Sequence, residues 1–159
     1  MGFSLQDLAR FLVKAKKNTY AGDGKEVSSQ RPDFDELEFI EGDFEYRDSY
    51  FGLYQAPGQE VVRYKGKPVW LMAYSGGMKK QYHKDLDFAE QTFAFLRKVL
   101  SQVEESKPFR GPDSFKEEDY EYINKVEGDI TQFKGRESIL YKGEEVFIHD
   151  YIGELVVSK

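Results

Sequence analysis

The 159-residue sequence contains no cysteine. Disulfides, thiolate catalysis and zinc–thiolate sites are therefore excluded, and the composition fits a reducing, cytoplasmic setting. Histidine is nearly absent too. His83 and His149 are the only two, and they lie 66 positions apart. Neither has the spacing of a metal motif, so each reads as an ordinary polar side chain. No apolar run reaches the length of about 20 residues that a membrane-spanning helix needs, and nothing at the start reads as a signal peptide. Basic residues are the minority, 23 against 29 acidic ones, for a net charge of −6. That balance argues against a surface that coats nucleic acid. G-x-S-x-G, a Walker loop and the dinucleotide fingerprint are missing as well. The sequence names no cofactor, no metal and no catalytic set, and it leans away from an enzyme.

What is abundant is aromatic: 11 Tyr, 13 Phe and 1 Trp make up 16% of the chain, within 40% hydrophobic residues. An ordered core follows despite 33% charge. The length predicts one domain spanning 1–159.

The domain is expected to be written twice. Residues 58–76 read GQEVVRYKGKPVWLMAYSG and residues 135–153 read GRESILYKGEEVFIHDYIG, with 8 of 19 positions identical. Identity at both ends and at the central Tyr-Lys-Gly, in matched order, points to duplication rather than to two chance hairpins. Upstream, Glu41-Gly42-Asp43 answers Glu127-Gly128-Asp129, and Arg31-Pro32-Asp33 loosely answers Arg110-Gly111-Pro112-Asp113. The two repeats span roughly 1–80 and 81–159.

Ser4 is a good N-cap with Asp7 at the capping-box position, and Leu5, Leu8, Leu12 and Ala15 form one apolar stripe. Lys14, Lys16 and Lys17 suit the negative end of that helix. A second helix is predicted from Asp85 to about Glu105, with a wide apolar face. Lys65-Gly66 reads as a two-residue hairpin loop. Counting back from it, Val62 faces Val69 and Glu60 faces Leu71. One face then carries Glu60, Val62, Tyr64, Val69, Leu71 and Ala73, the natural platform for the helices. The other carries Trp70, Met72 and Tyr74. The second hairpin repeats the pattern, with Glu137 on the helix side and Phe147, His149 and Tyr151 opposite. Pro68 demands a free or irregular edge nearby. Stretches 37–51 and 120–133 supply further strands, each broken at Glu-Gly-Asp by a turn or bulge. The predicted class is α+β: a pseudo-twofold duplication of a helix plus antiparallel strands, with a largely antiparallel sheet and two helices on one face.

Site candidates follow from what does not fit a plain core. Glu60 and Glu137 recur on a face that otherwise reads as buried, where a carboxylate needs a partner. They are either structural or a polar pair lining a pocket between the halves. Tyr46 and Arg47 lie in an acidic stretch, Asp33–Asp48, with eight carboxylates, and Tyr50 stands just past its end. Arg47 either binds an anion or pairs with Asp48, Glu45 or a cross-strand acid. Trp70 and Tyr74 belong to an aromatic strip that needs covering by a partner, a ligand or another segment.

Three stretches carry a resemblance: Ala15-Lys16-Lys17-x-Thr19-Tyr20-Ala21-Gly22; Glu41-Gly42-Asp43-Phe44-x-Tyr46-Arg47-Asp48-Ser49-Tyr50-Phe51-Gly52; and Gly58-Gln59-Glu60-Val61-Val62-x-Tyr64-Lys65-Gly66-x-Pro68-Val69-Trp70. They resemble an uncharacterised bacterial domain-of-unknown-function family. Such domains occur alone or behind an XRE-type helix-turn-helix in proteins labelled transcriptional regulators. The resemblance implies no activity or catalytic residue. This chain lacks a helix-turn-helix of its own, so direct nucleic-acid binding is not expected. As architecture only, the duplication is similar to effector-binding domains that hold small cationic or aromatic compounds between two halves.

The expectation is a cytoplasmic ligand- or partner-binding module, taking a small cationic or aromatic molecule or a protein. Tyr46, Tyr50, Trp70 and Tyr74 would supply stacking surface, Arg47 a charge, and Glu60 with Glu137 the polar anchors. One alternative is a hydrolase with Glu60 or Glu137 as general base. The other is a structural protein that forms a homodimer through the aromatic strip.

Overall fold

Ser4 and Asp7 set the start of the first helix, each bonding the other's backbone N–H, at 3.1 and 3.0 Å. This computed structural model describes residues 2–157. Helix α1, Leu5–Lys17, buries Leu8, Phe11, Leu12 and Ala15. It buries Lys16 as well, which continues the stripe one turn past Leu12. The sequence assigned Lys16 to the helix dipole. Helix α2, Leu86–Leu100, starts at Asp85, whose carboxylate accepts from Phe88 N–H at 3.0 Å. It stops short of Glu105: the apolar pattern runs on because Val103 and Phe109 are buried from the loop beyond it.

The strands are β1 (Glu26–Val27), β2 (Asp35–Glu41), β3 (Phe44–Tyr50), β4 (Gly58–Tyr64), β5 (Lys67–Met78), β6 (Ser114–Glu117), β7 (Tyr120–Asp129), β8 (Gln132–Tyr141) and β9 (Glu144–Leu155). All pairings are antiparallel, in one sheet ordered β1-β2-β3-β4-β5-β9-β8-β7-β6. The α+β class holds, although the sheet dominates. Each helix precedes an antiparallel meander, and β5 and β9 meet in the middle.

Both hairpins turn at Lys-Gly. Lys65, Gly66, Lys142 and Gly143 all adopt positive φ, which two-residue hairpin loops require. The side-chain register differs from simple counting back. In the first hairpin Arg63 pairs with Pro68 and Val62 with Trp70, so Val69 is an extra residue. In the second, Leu140 pairs with Glu145 and Ile139 with Phe147, so Val146 is extra. Each bulge flips the rest of its strand to the opposite face. Glu60 therefore faces Met72, not Leu71, and the aromatic residues share a face with the glutamates. Pro68 sits beside the bulge and outside the β5–β9 pairing, which begins at Trp70.

Both helices lie on that face. Val62, Trp70 and Met72 pack with Leu8, Phe11 and Leu12 of α1. Tyr122, Ile139 and Phe147 pack with Ala89, Leu96 and Val99 of α2. Glu60 and Val62 stay on the helix side as expected, whereas Leu71 and Ala73 turn outward beside Val61, all three half-buried, with Ile152 61% exposed on β9. The aromatic strip is thus covered by the chain's own helices and offers no surface for a dimer.

The two Glu-Gly-Asp tripeptides do different things. Glu41 pairs with Phe44 around a tight turn at Gly42-Asp43, between β2 and β3. Glu127-Gly128-Asp129 lies inside the far end of β7, whose turn is at Ile130-Thr131. The sequence match between the two hairpins is therefore not continued by these tripeptides. Among the described residues no helix is long and apolar enough to cross a membrane.

Candidate functional site

The polar residues of the helix-covered face gather where β3, β4, β5, β9, β8 and β7 run side by side. Asp48, Glu60, Asn124, Glu137 and His149 are all buried there. The loop between α2 and β6 closes the cluster. Phe109 is stacked on Phe133 at 4.1 Å, and Gly111 N–H donates to the Tyr122 hydroxyl at 3.1 Å. Asn124 Nδ2 donates to Gly111 O at 3.1 Å. These contacts pin the loop on both sides of Arg110, which is 5% exposed.

Arg110 reaches both Glu60 and Glu137. Its Nε and Nη2 donate to Glu137 Oε1 at 2.9 and 2.6 Å, and its Nη1 stands 3.9 Å from Glu60 Oε1. Glu60 is also paired with Lys16. Glu137 further accepts from the Tyr122 hydroxyl at 2.6 Å and lies 3.2 Å from His149 Nδ1. Burial opposes its charge, but Arg110 and then His149 outweigh burial and hold its carboxyl down at about 2. Lys16 is shifted down, because burial exceeds the pull of Glu60. Burial likewise lowers His149 against the pull of Glu137, keeping the ring neutral at pH 7. Ionised Glu137 favours the imidazole proton on Nδ1, although Arg110 Nη2, itself a donor, stands 3.5 Å from the same nitrogen. His149 Nε2 is buried without a hydrogen bond.

Asp48 is the exception among these acids. Its Oδ1 accepts from the Tyr74 hydroxyl at 2.7 Å, and no cation is bonded to it. Burial and then the neighbouring Glu60 push its carboxyl up to about 7, against the Tyr74 hydrogen bond. The corresponding place beside Glu137 in β7 is Asn124, which accepts from the Tyr151 hydroxyl at 2.8 Å. Each tyrosine crosses a glycine on the adjoining strand. A Cβ added at Gly58 would stand 2.4 Å from the Tyr74 hydroxyl, and one at Gly135 2.3 Å from Tyr151 Cζ.

A cleft of about 170 Å³ opens onto this cluster. Asp48, Tyr74, Arg110 and His149 form its polar end. Tyr20, Tyr50 and Phe93 wall it, with Leu53 and Ala56 of the β3–β4 loop and the exposed Arg97 at the rim. Leu53 is 58% exposed, an apolar side chain standing at the mouth. Tyr74 is the hinge of the geometry: its ring lies 5.6 Å from His149, and the Arg110 guanidinium stands 5.4 Å over it.

The residues expected from sequence divide into four groups. Tyr50 and Tyr74 line the cleft. Tyr46 and Glu60 border a separate void of only about 10 Å³ beneath it, together with Lys16. Glu137 is sealed between Arg110, Tyr122 and His149. Neither glutamate is free to act as a base on a substrate. Trp70 and Arg47 lie elsewhere. Trp70 is core, stacked on Phe133 and donating to Ile130 O at 3.2 Å. Arg47 points to the opposite face of the sheet, paired with the cross-strand acids Glu36 and Glu38. Asp48, His149, Arg110, Tyr20, Phe93 and Arg97 were not selected. His149 was legible as part of the aromatic strip, and Asp48 as the neighbour of Tyr46 and Tyr50. Arg110 lay in a loop whose only signal was its loose match to Arg31.

Among the described residues no three His, Asp or Glu side chains converge as metal ligands. No curated protein and no solved structure matches the chain. A family match does exist, from Asp48 on β3, through both hairpins and α2, to Val156 just past β9. Over residues 48–156 the chain belongs to the family described as Domain of unknown function (DUF5680).

Proposed function

We propose that this chain is a single-domain small-molecule binding module, built from two duplicated halves, whose ligand occupies the cleft over Tyr74. The observation that carries the reading is the shared floor. Asp48 and Tyr74 come from the first half, Arg110 and His149 from the second, and all four line one cleft. Buried polar groups beneath an apolar mouth are the usual composition of a ligand site. The walls of Tyr20, Tyr50 and Phe93 suit a flat aromatic molecule. The volume matches one six-membered ring with a small substituent, since a cavity of about 150 Å³ holds benzene. A cytoplasmic effector-sensing role, with DNA contact left to another chain, is in keeping with the resemblance noted in the sequence.

The test is a thermal-shift screen of small aromatic compounds, followed by a crystal structure of any complex. Stabilisation by a compound found in the cleft supports the reading. Compounds that stabilise only from other sites, with the cleft still holding water, overturn it.

A further inference from the structure

The buried cluster contains three carboxyls but two cations. Glu60 has Lys16, and Glu137 has Arg110. Asp48 has only the neutral Tyr74 hydroxyl on Oδ1, and its Oδ2 receives no hydrogen bond. The cations around it are each paired with another acid, and the Tyr46 hydroxyl, buried without a hydrogen-bond partner, brings no charge. Arg110 spends Nε and Nη2 on Glu137, and Lys16 bonds Glu60. The other orphan at the polar end, His149 Nε2, accepts hydrogen bonds once its proton sits on Nδ1. Arg97 stands at the exposed rim and not on the floor. A buried carboxylate without a cation is costly, so the floor is one positive charge short.

Resting on the cleft as the ligand site, we infer that its ligand is a small aromatic cation, an amine or amidine whose charged nitrogen is the third cation of the cluster and docks on Asp48. The ring packs between Tyr20, Tyr50 and Phe93, and cation–π attraction from Tyr74 adds to the ion pair. The groups facing Asp48 are Lys16 from α1, Tyr46 on its own strand, Glu60 from β4, Tyr74 from β5, and Arg110 and Tyr20 from the loops. Burial first, and then Glu60, favours neutral Asp48 until a cation arrives, against the pull of Lys16 and Arg110. Binding below about pH 7 therefore expels a proton from Asp48.

The probes are benzamidine, its neutral isostere benzamide, and benzoate, titrated into the full chain and followed by NMR shifts at Tyr74 and His149. Benzamidine is expected to bind at least tenfold more tightly than either isostere. Its affinity should rise up to tenfold per unit between pH 5 and about 7. Asp48→Asn should abolish both the preference and the pH slope. That variant has a precedent for folding in Asn124, which accepts from Tyr151 as Asp48 does from Tyr74. Benzamide or benzoate binding in the cleft as tightly as benzamidine overturns the cation and leaves the ligand site standing. No binding of any of the three overturns the cation, and the screen above then judges the cleft by itself. A benzamidine preference that survives Asp48→Asn overturns the role of Asp48.

Discussion

Glu60 and Glu137, one from each hairpin, are held at the same guanidinium: Arg110 Nη1 stands 3.9 Å from the first and Nη2 2.6 Å from the second. The carboxylates are part of how the two halves are joined. Removing the cation leaves a buried charge uncompensated, which costs about 3–5 kcal/mol in comparable buried pairs. Arg110→Met should lose that much in urea denaturation at pH 7. Adding Glu137→Met should recover at least half of the loss. A single variant as stable as the parent would show that Arg110 does not carry the junction.

Asp48 makes stability fall as pH rises. Unfolded, an aspartate titrates near about 4; folded, this one titrates at about 7. Between those values the folded chain holds a proton that the unfolded chain has released, so folding loses free energy with every unit of pH. Below about pH 4 the contribution is absent, and above about pH 7 it is complete. The full shift corresponds to about 4 kcal/mol. Asp48→Asn should therefore be more stable than the parent at pH 8, by up to that amount, and close to it at pH 4. Paired urea melts across this range measure the difference directly. A variant less stable at pH 8 than at pH 4, relative to the parent, would contradict the sign.

Tyr74 restrains that shift. Its hydroxyl donates to Asp48 and so favours the ionised form. Tyr74→Phe should move the Asp48 titration further above 7, read by carbon-detected NMR of the carboxyl. The loss in stability should be greater at pH 8, about 1.5–3 kcal/mol for a hydrogen bond to a charged group, than at pH 5, about 1 kcal/mol for a neutral one.

How much of this was visible in the sequence turns on two single residues. Val69 and Val146 each insert one extra position into a hairpin whose loop was correctly read. Periodicity of two cannot register a bulge from the turn alone, because both strands keep their alternation on either side of it. The face assignments beyond the bulge on β5 and β9 therefore inverted, while those on β4 and β8 stood. Glu60 and Glu137 were rightly marked as buried and in need of partners, yet the aromatic residues that sit with them were placed across the sheet. The partners were harder to see. Lys16 occupied the i+4 position after Leu12, a signal outweighed by its fitness for the helix end. Arg110 lies in a loop, where its position depends on Phe109 and Gly111 docking against β7 and β8. That is tertiary information, and no local pattern encodes it. Arg47 was legible as an ion pair because acids alternate along β2, opposite it.

The glycines opposite the two tyrosines give the most local test of the floor. At Gly58 a Cβ would overlap the Tyr74 hydroxyl and also lie 2.7 Å from Ser49 O. At Gly135 the three nearest atoms all belong to the Tyr151 side chain, at 2.3 to 2.7 Å. Overpacking of this kind costs about 1–3 kcal/mol. Backbone cannot yield as a side chain can, so Gly58→Ala should cost more than Gly135→Ala in thermal or urea melts. Combining Gly58→Ala with Tyr74→Phe removes the hydroxyl that the Cβ strikes, so the pair should cost less than the sum of the singles. A strictly additive cycle would mean that the clash is absorbed by the backbone, and that Tyr74 keeps its place over Asp48 regardless of what faces it across β4.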